Sequence, residues 1–295
     1  MSVPGEVDTA SAPAAAPTVT APAPADAAGV TGHRGLRRLL RRALEMHAAP
    51  MTTEELLRPA IVFAPHQDDE TLGCGGTILR KRRAGAPVTI VFLTDGYTSH
   101  ADRMDVGELV AQRRREALAA AAALGVAERN VIFLNITDAT LSQQIPDATR
   151  RVTSLLCDER PQQIFVTSRW DNTPDHVAAG EIVSAAAADV CPKADLFEYL
   201  VWYWAHWPWA PRRDLKDSGE SAWRQALRRF RRLFAADLVR VPIAELHDAK
   251  WTALCQHASQ MHRPVGDPGW PVLADVWAGG FLDCAFADCE LFIRR

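Results

Sequence analysis

The chain has 295 residues, a formal net charge of −3 and 48% hydrophobic residues, enough to bury a sizeable core as one large domain or two small ones. That near-neutral balance argues against a nucleic-acid binder. Six cysteines, Cys74, Cys157, Cys191, Cys255, Cys284 and Cys289, include no CxxC pair, which argues against thiol-rich zinc binding and fits reduced thiols in a cytoplasmic protein.

Residues 1–31 are dominated by Ala, Pro, Thr and Val, without a basic leader or a continuous apolar stretch. A disordered tail is expected there rather than a signal peptide. No run approaches the roughly 18 apolar residues that a membrane-spanning helix requires. Residues 32–57 read as a basic amphipathic helix and linker, because arginine pairs alternate with leucines at helical spacing over 35–46.

Residues 58–295 are expected to form a single domain. Apolar, β-branched segments at 60–64, 88–93, 130–134 and 163–167 predict strands, and helical patterns fill 72–84, 106–124, 147–158 and 176–188. Such alternation predicts an α/β fold, a Rossmann-like parallel sheet covered by helices on both faces, over 58–195. Residues 196–295 are expected as an additional β/α region on the substrate side. Within it the aromatic run 197–204 reads as a further strand, continued by Trp207 and Trp209. A second basic helix, 222–238, sets Trp223, Leu227, Phe230 and Phe234 near one face and Arg224, Arg228, Arg231 and Arg232 largely elsewhere. For both basic helices the favoured reading is a solvated helix with its apolar stripe on the core; contact with a membrane surface or an anionic substrate is the other. Nothing in the pattern specifies an oligomeric state.

Chemistry concentrates in His66-Gln67-Asp68-Asp69-Glu70, directly after the strand at 60–64. A zinc hydrolase needs three ligands of His/Asp/Glu type, an open position for water and a base beside that water. His66 and Asp69 fit as ligands and Asp68 as base, because neighbouring residues leaving a strand project in different directions. Capping of the next helix by acidic side chains explains one carboxylate, such as Glu70, but not the whole set. Ligands of parallel sheets gather at the carboxyl ends of strands. Thr94-Asp95-Gly96, Asp138 and the segment from Asp171 to His176 fall at such ends, and His176 is the best third ligand.

These residues resemble the PIG-L/LmbE-like de-N-acetylases. The likeness spans about residues 58–295 and is carried by His66-x-Asp68-Asp69-Glu70 with Gly73, Gly75 and Gly76 behind it, and by Leu93-Thr94-Asp95-Gly96. Arg113-x-x-Glu116, Asp138, Asp175-His176 and Lys250 with Ser259-Gln260 complete it. The resemblance implies a hydrolase that removes acetyl from the 2-amino group of an N-acetylglucosaminyl-type conjugate. It implies His66, Asp69 and His176 on one Zn2+ per chain, a site that could also accept Fe2+ or Co2+, with Asp68 as general base and Arg113 and Asp138 at the sugar. A small-molecule amino-sugar conjugate is then the expected partner.

Two positions depart from the family pattern. Gln67 replaces a proline, and Thr173 replaces a histidine that steadies the oxyanion, leaving Asp171 without the partner it orients in relatives. Losing an oxyanion donor costs on the order of 10²–10³ in rate, so a catalytically weak or inactive binder of metal and glycan is the alternative. Arg113 could instead pair with Glu116 along a helix surface, and Asp138 could cap a turn. The run Gly73-Cys74-Gly75-Gly76-Thr77 lacks GxGxxG spacing, so a dinucleotide-binding oxidoreductase is rejected; these glycines are expected to bring a helix close to the sheet.

Overall fold

A computed structural model describes residues 31–171, 173–207, 221–276 and 279–295. Residues 1–30 of the expected tail, and Trp209, lie outside the described residues. Strands β1 (Ala49–Pro50), β2 (Ala60–Ala64), β3 (Val88–Thr94), β4 (Val131–Ile136), β5 (Gln163–Thr167), β6 (Asp195–Tyr199), β7 (Leu238–Pro242) and β8 (Cys289–Arg294) form a sheet in the order β1-β7-β8-β6-β5-β2-β3-β4. The run from β6 to β4 is parallel throughout, while β8 is antiparallel to both its neighbours. The helices are α1 (Thr31–His47), α2 (Thr53–Leu57), α3 (Asp69–Arg83), α4 (Val106–Ala123), α5 (Ile145–Glu159), α6 (Pro174–Val190), α7 (Trp202–His206), α8 (Ala222–Phe234), α9 (His247–Leu254), α10 (Ala258–Met261) and α11 (Gly280–Ala285). None among the described residues is long and apolar enough to cross a membrane.

Strand β2 is buried at every position, as a central parallel strand must be when both faces are covered. Val62 and Ala64 pack with Leu72 and Ile78 of α3, whereas Ile61 and Phe63 pack with Val152 of α5 and Ile182 of α6. From β2 the chain adds β3 and then β4 on one side, and returns with β5 on the other. The crevice between the carboxyl ends of β2 and β5 is therefore the topological switch point, where open α/β sheets bind ligands.

Helix α3 closes tightly onto this sheet. A Cβ on Gly73 would stand 2.2 Å from the Tyr199 ring of β6, and one on Gly76 would stand 2.3 Å from Ile243, so only glycine permits the approach. The glycine run serves packing, as its spacing suggested. Glu290 of β8 fixes the helix further, accepting the backbone N–H groups of Gly76 and Thr77 at 2.8 Å each while pairing with buried Lys250 at 2.8 Å.

The structure corrects two expectations. The aromatic run divides, since β6 ends at Tyr199 and Trp202–His206 is helical; the Asp171 carboxylate accepts the N–H groups of Val201, Trp202 and Tyr203 and so fixes a helix start where aromatic propensity alone favours a strand. The second basic helix ends at Phe234, and residues 238–242 form β7. Its apolar stripe faces the core only at Phe230, which packs by Trp207: Trp223, Leu227 and Phe234 are 62%, 45% and 42% exposed, while Gln225, Ala226 and Leu233 are buried. Cation–π contacts account for this rotation, with Arg229 over Tyr203 at 4.3 Å and Arg232 over Trp170 at 3.9 Å turning part of the basic side inward.

Candidate metal centre

At the switch point three donor atoms converge. His66 Nδ1 lies 3.2 Å from Asp69 Oδ2, His176 Nε2 lies 3.2 Å from the same oxygen, and the two nitrogens are 3.3 Å apart. Tetrahedral bonds of about 2.0 Å would place ligand atoms about 3.3 Å apart, so this triangle has the dimensions of three corners of a zinc site. His66 and Asp69 come from the β2-to-α3 turn and His176 from the first turn of α6 after β5.

The second nitrogen of each imidazole is also engaged. His66 Nε2 meets Asp138 Oδ1 at 3.0 Å, and His176 Nδ1 meets Asp171 Oδ2 at 2.9 Å. Such outer carboxylates fix the tautomer and ring direction of metal-binding histidines. Asp171 thus has a partner after all, the imidazole of His176, contrary to the expectation that Thr173 orphans it. Asp138 is 3% exposed, and its other oxygen accepts from the N–H and hydroxyl of Thr98 at 3.0 and 2.5 Å. Its contacts tie His66 to Thr98. Asp175 adds a further oxygen 3.7 Å from His66 Nε2.

Opposite charges shape the cluster. Burial alone would push the His176 imidazolium down, but Asp69 and Asp171 overcome it and hold the group up to about 9. Burial likewise opposes a charged His66, yet Asp138, Asp175 and Asp69 keep it well above the ordinary histidine value. Asp69 and Asp138 are held low despite burial, by the two histidines in the first case and by His66 and Thr98 in the second. The donor set favours positive charge at its centre, which is what a divalent cation supplies.

Asp68 stands apart from the triangle. Burial pushes its carboxyl up to about 6, with Arg113 acting against that shift and Asp69 adding to it. Its backbone has φ 144°, a strained region for a residue with a Cβ, and Glu70 accepts its N–H at 3.0 Å. Glu70 itself contacts buried His257 at 3.0 Å. Arg113 is buried and donates to the carbonyls of Gly96 and Gln67 at 2.9 and 2.5 Å, with Asp68 at 3.7 Å. The surface pair with Glu116 does not form, because Glu116 accepts from Ser259 instead. Gln67 does more than hold shape, since its amide donates to the Thr94 carbonyl at 2.9 Å. Thr173 occupies the N-cap position of α6, and its buried hydroxyl has no partner among the described residues.

Sequence reasoning passed over His257 and gave Asp175 no role. The available signal for His257 was its place two residues before Ser259-Gln260. His100 is buried and stacks on Trp270 at 4.2 Å.

Comparison with known proteins finds relatives in sequence and in fold. The model of the GlcNAc-PI de-N-acetylase family, PIG-L, matches residues 61–187. Diacetylchitobiose deacetylase of Thermococcus kodakarensis is 28% identical over 152 residues, covering 49% of this chain and 56% of the relative. A probable N-acetyl-alpha-D-glucosaminyl L-malate deacetylase 2 of Bacillus anthracis is 30% identical over 139 residues, covering 45% and 61%. The chain thus spans little more than half the length of these relatives. The solved structure of N,N'-diacetylchitobiose deacetylase from Pyrococcus horikoshii superposes with a TM-score of 0.56 at 22% identity, covering 89% of this chain and 92% of that one, a likeness of fold.

Proposed function

Because the PIG-L family model matches residues 61–187, we propose that the protein is a zinc-dependent N-deacetylase acting on an N-acetylglucosaminyl-type conjugate. The observation that carries this reading is the triangle of His66, Asp69 and His176, backed by Asp138 and Asp171 and standing beside a buried carboxylate that lies outside it. The deacetylase activities named for the two sequence relatives support the substrate class.

A divalent cation held by His66 Nδ1, Asp69 Oδ2 and His176 Nε2 would polarise the amide carbonyl and acidify a water. Asp68 takes the proton of the attacking water on its carboxylate and delivers it to the departing amine nitrogen as the C–N bond breaks, giving acetate and free amine. Glu70 holds the Asp68 N–H, and Arg113 ties the same turn to Gly96, so the base keeps its direction. Thr173 offers one hydroxyl hydrogen bond to the developing oxyanion.

The test is metal analysis with an acetate-release assay on diacetylchitobiose and a panel of N-acetylglucosaminyl conjugates. Zinc at one per chain with acetate release is expected, as is a loss of about 10²–10⁴ in rate for Asp68→Asn with metal retained, and loss of metal for His176→Ala. Thr173, standing where the family pattern has a histidine, motivates a second reading, a protein that binds metal and glycan without turnover. Full zinc occupancy with no acetate from any substrate would decide for that reading and against the enzyme.

A further inference from the structure

We propose that the joint outer face of α1 and α8 docks the protein on anionic phospholipid bilayers. The two helices touch, with His47 stacked on Phe234 at 4.1 Å. Together their sequences hold ten arginines against one glutamate, in a chain whose net charge is −3, so the rest of the molecule is strongly acidic. Of these arginines Arg38, Arg42, Arg224, Arg228 and Arg231 are exposed, while Arg41, Arg229 and Arg232 lie over Trp204, Tyr203 and Trp170.

The apolar side chains on it are as informative as the charge. Leu39 and Met46 of α1 are 68% and 70% exposed, and Trp223, Leu227 and Phe234 of α8 are exposed as well, Phe234 at the contact with His47 of α1. Arg38, Arg42, Arg224 and Arg231 are exposed among them. Exposed large apolar residues collected in one patch mark an interaction site. Helices that lie in a bilayer interface combine this apolar edge with an arginine-rich flank, burying the first at the acyl boundary and pairing the second with lipid phosphates. A nucleic-acid duplex would satisfy the arginines but would give Leu39, Met46 and Leu227 nothing to bury against, so the bilayer is the better complement.

The surface adjoins the metal centre without being part of it. Arg229 and Arg232 of α8 reach inward to Tyr203 and Trp170, and Asp171 accepts the Tyr203 N–H while holding His176. A docked molecule would carry its active rim close to the lipid surface. The inference does not depend on the reaction catalysed.

The experiment is co-sedimentation of the full chain with phosphatidylcholine vesicles with and without phosphatidylserine, at low and high salt. Binding about tenfold or more stronger with phosphatidylserine, and weakened by salt, is expected. The variant R38E/R224E/R231E should lose that preference with an unchanged melting midpoint, since all three side chains are exposed. Should its midpoint fall, Leu39→Ser with Leu227→Ser replaces it, with weaker binding at every salt concentration expected. Equal binding to both vesicle types, no binding to either, native binding by the variants, or binding to duplex DNA but not to vesicles would overturn the proposal.

Discussion

Asp138 illustrates how a residue's neighbours decide its task. Its position suggests a sugar contact, while its burial and its bond to His66 Nε2 would also let it support that ring if a metal binds, as proposed. Asp138→Asn should therefore weaken zinc binding by about 10- to 100-fold, read by competition with a chelating dye, with KM for substrate little changed at saturating metal. A raised KM with unaltered zinc affinity would return Asp138 to the sugar. The triangle itself was legible in the sequence, because His66, Asp69 and His176 sit at strand ends where side chains converge. The outer partners were less legible, since pairing Asp171 with His176 requires knowing how α6 is rotated against the turn after β5. His257 was illegible for the same reason, as its contact with Glu70 spans 187 residues.

At the scale of elements, α3 matters most because its first turn holds Asp69 and Glu70 while its flanks are pinned by buried charges. Glu290→Ala would leave Lys250 buried without its carboxylate partner, at a cost of about 3–5 kcal/mol; urea denaturation measures this, and Lys250→Met in the same chain should recover part of the loss. At the other end Lys81, buried and donating to the carbonyls of Glu55 and Arg58 at 2.9 and 3.0 Å, is pushed down to about 8 by burial. Above that value and below the ordinary lysine range, the unfolded chain keeps a proton that the folded chain has released, so stability rises with pH through this group. Lys81→Met should flatten the rise measured between about pH 8 and 10. Strands β2 to β5 were readable because each is an apolar run bounded by polar residues. Strands β7 and β8 were not, because Arg240, Glu290 and Arg294 interrupt their apolar pattern and find their partners only in the folded chain. The turn of α7 was misread because its start depends on Asp171, 30 residues upstream of Val201.

For the whole molecule, the switch between β2 and β5 gathers candidate ligands from segments 110 residues apart, since His66 and His176 meet there. A cation bound there should stabilise the folded chain by mass action, about 2.7 kcal/mol at 100 times its dissociation constant. The melting midpoint should rise on adding zinc and fall with chelator, and His176→Ala should abolish both responses; an unresponsive native protein would count against the metal centre. Asp171 carries a last consequence. One carboxylate holds both the His176 ring and the opening turn of the aromatic helix α7, so the two cannot be independent equilibria. If a cation binds as proposed, whatever binds against Trp202 or Tyr203 and shifts the wound turn would change cation affinity by the same factor that the cation changes its own, making the aromatic wall and the candidate metal site reciprocal effectors of each other.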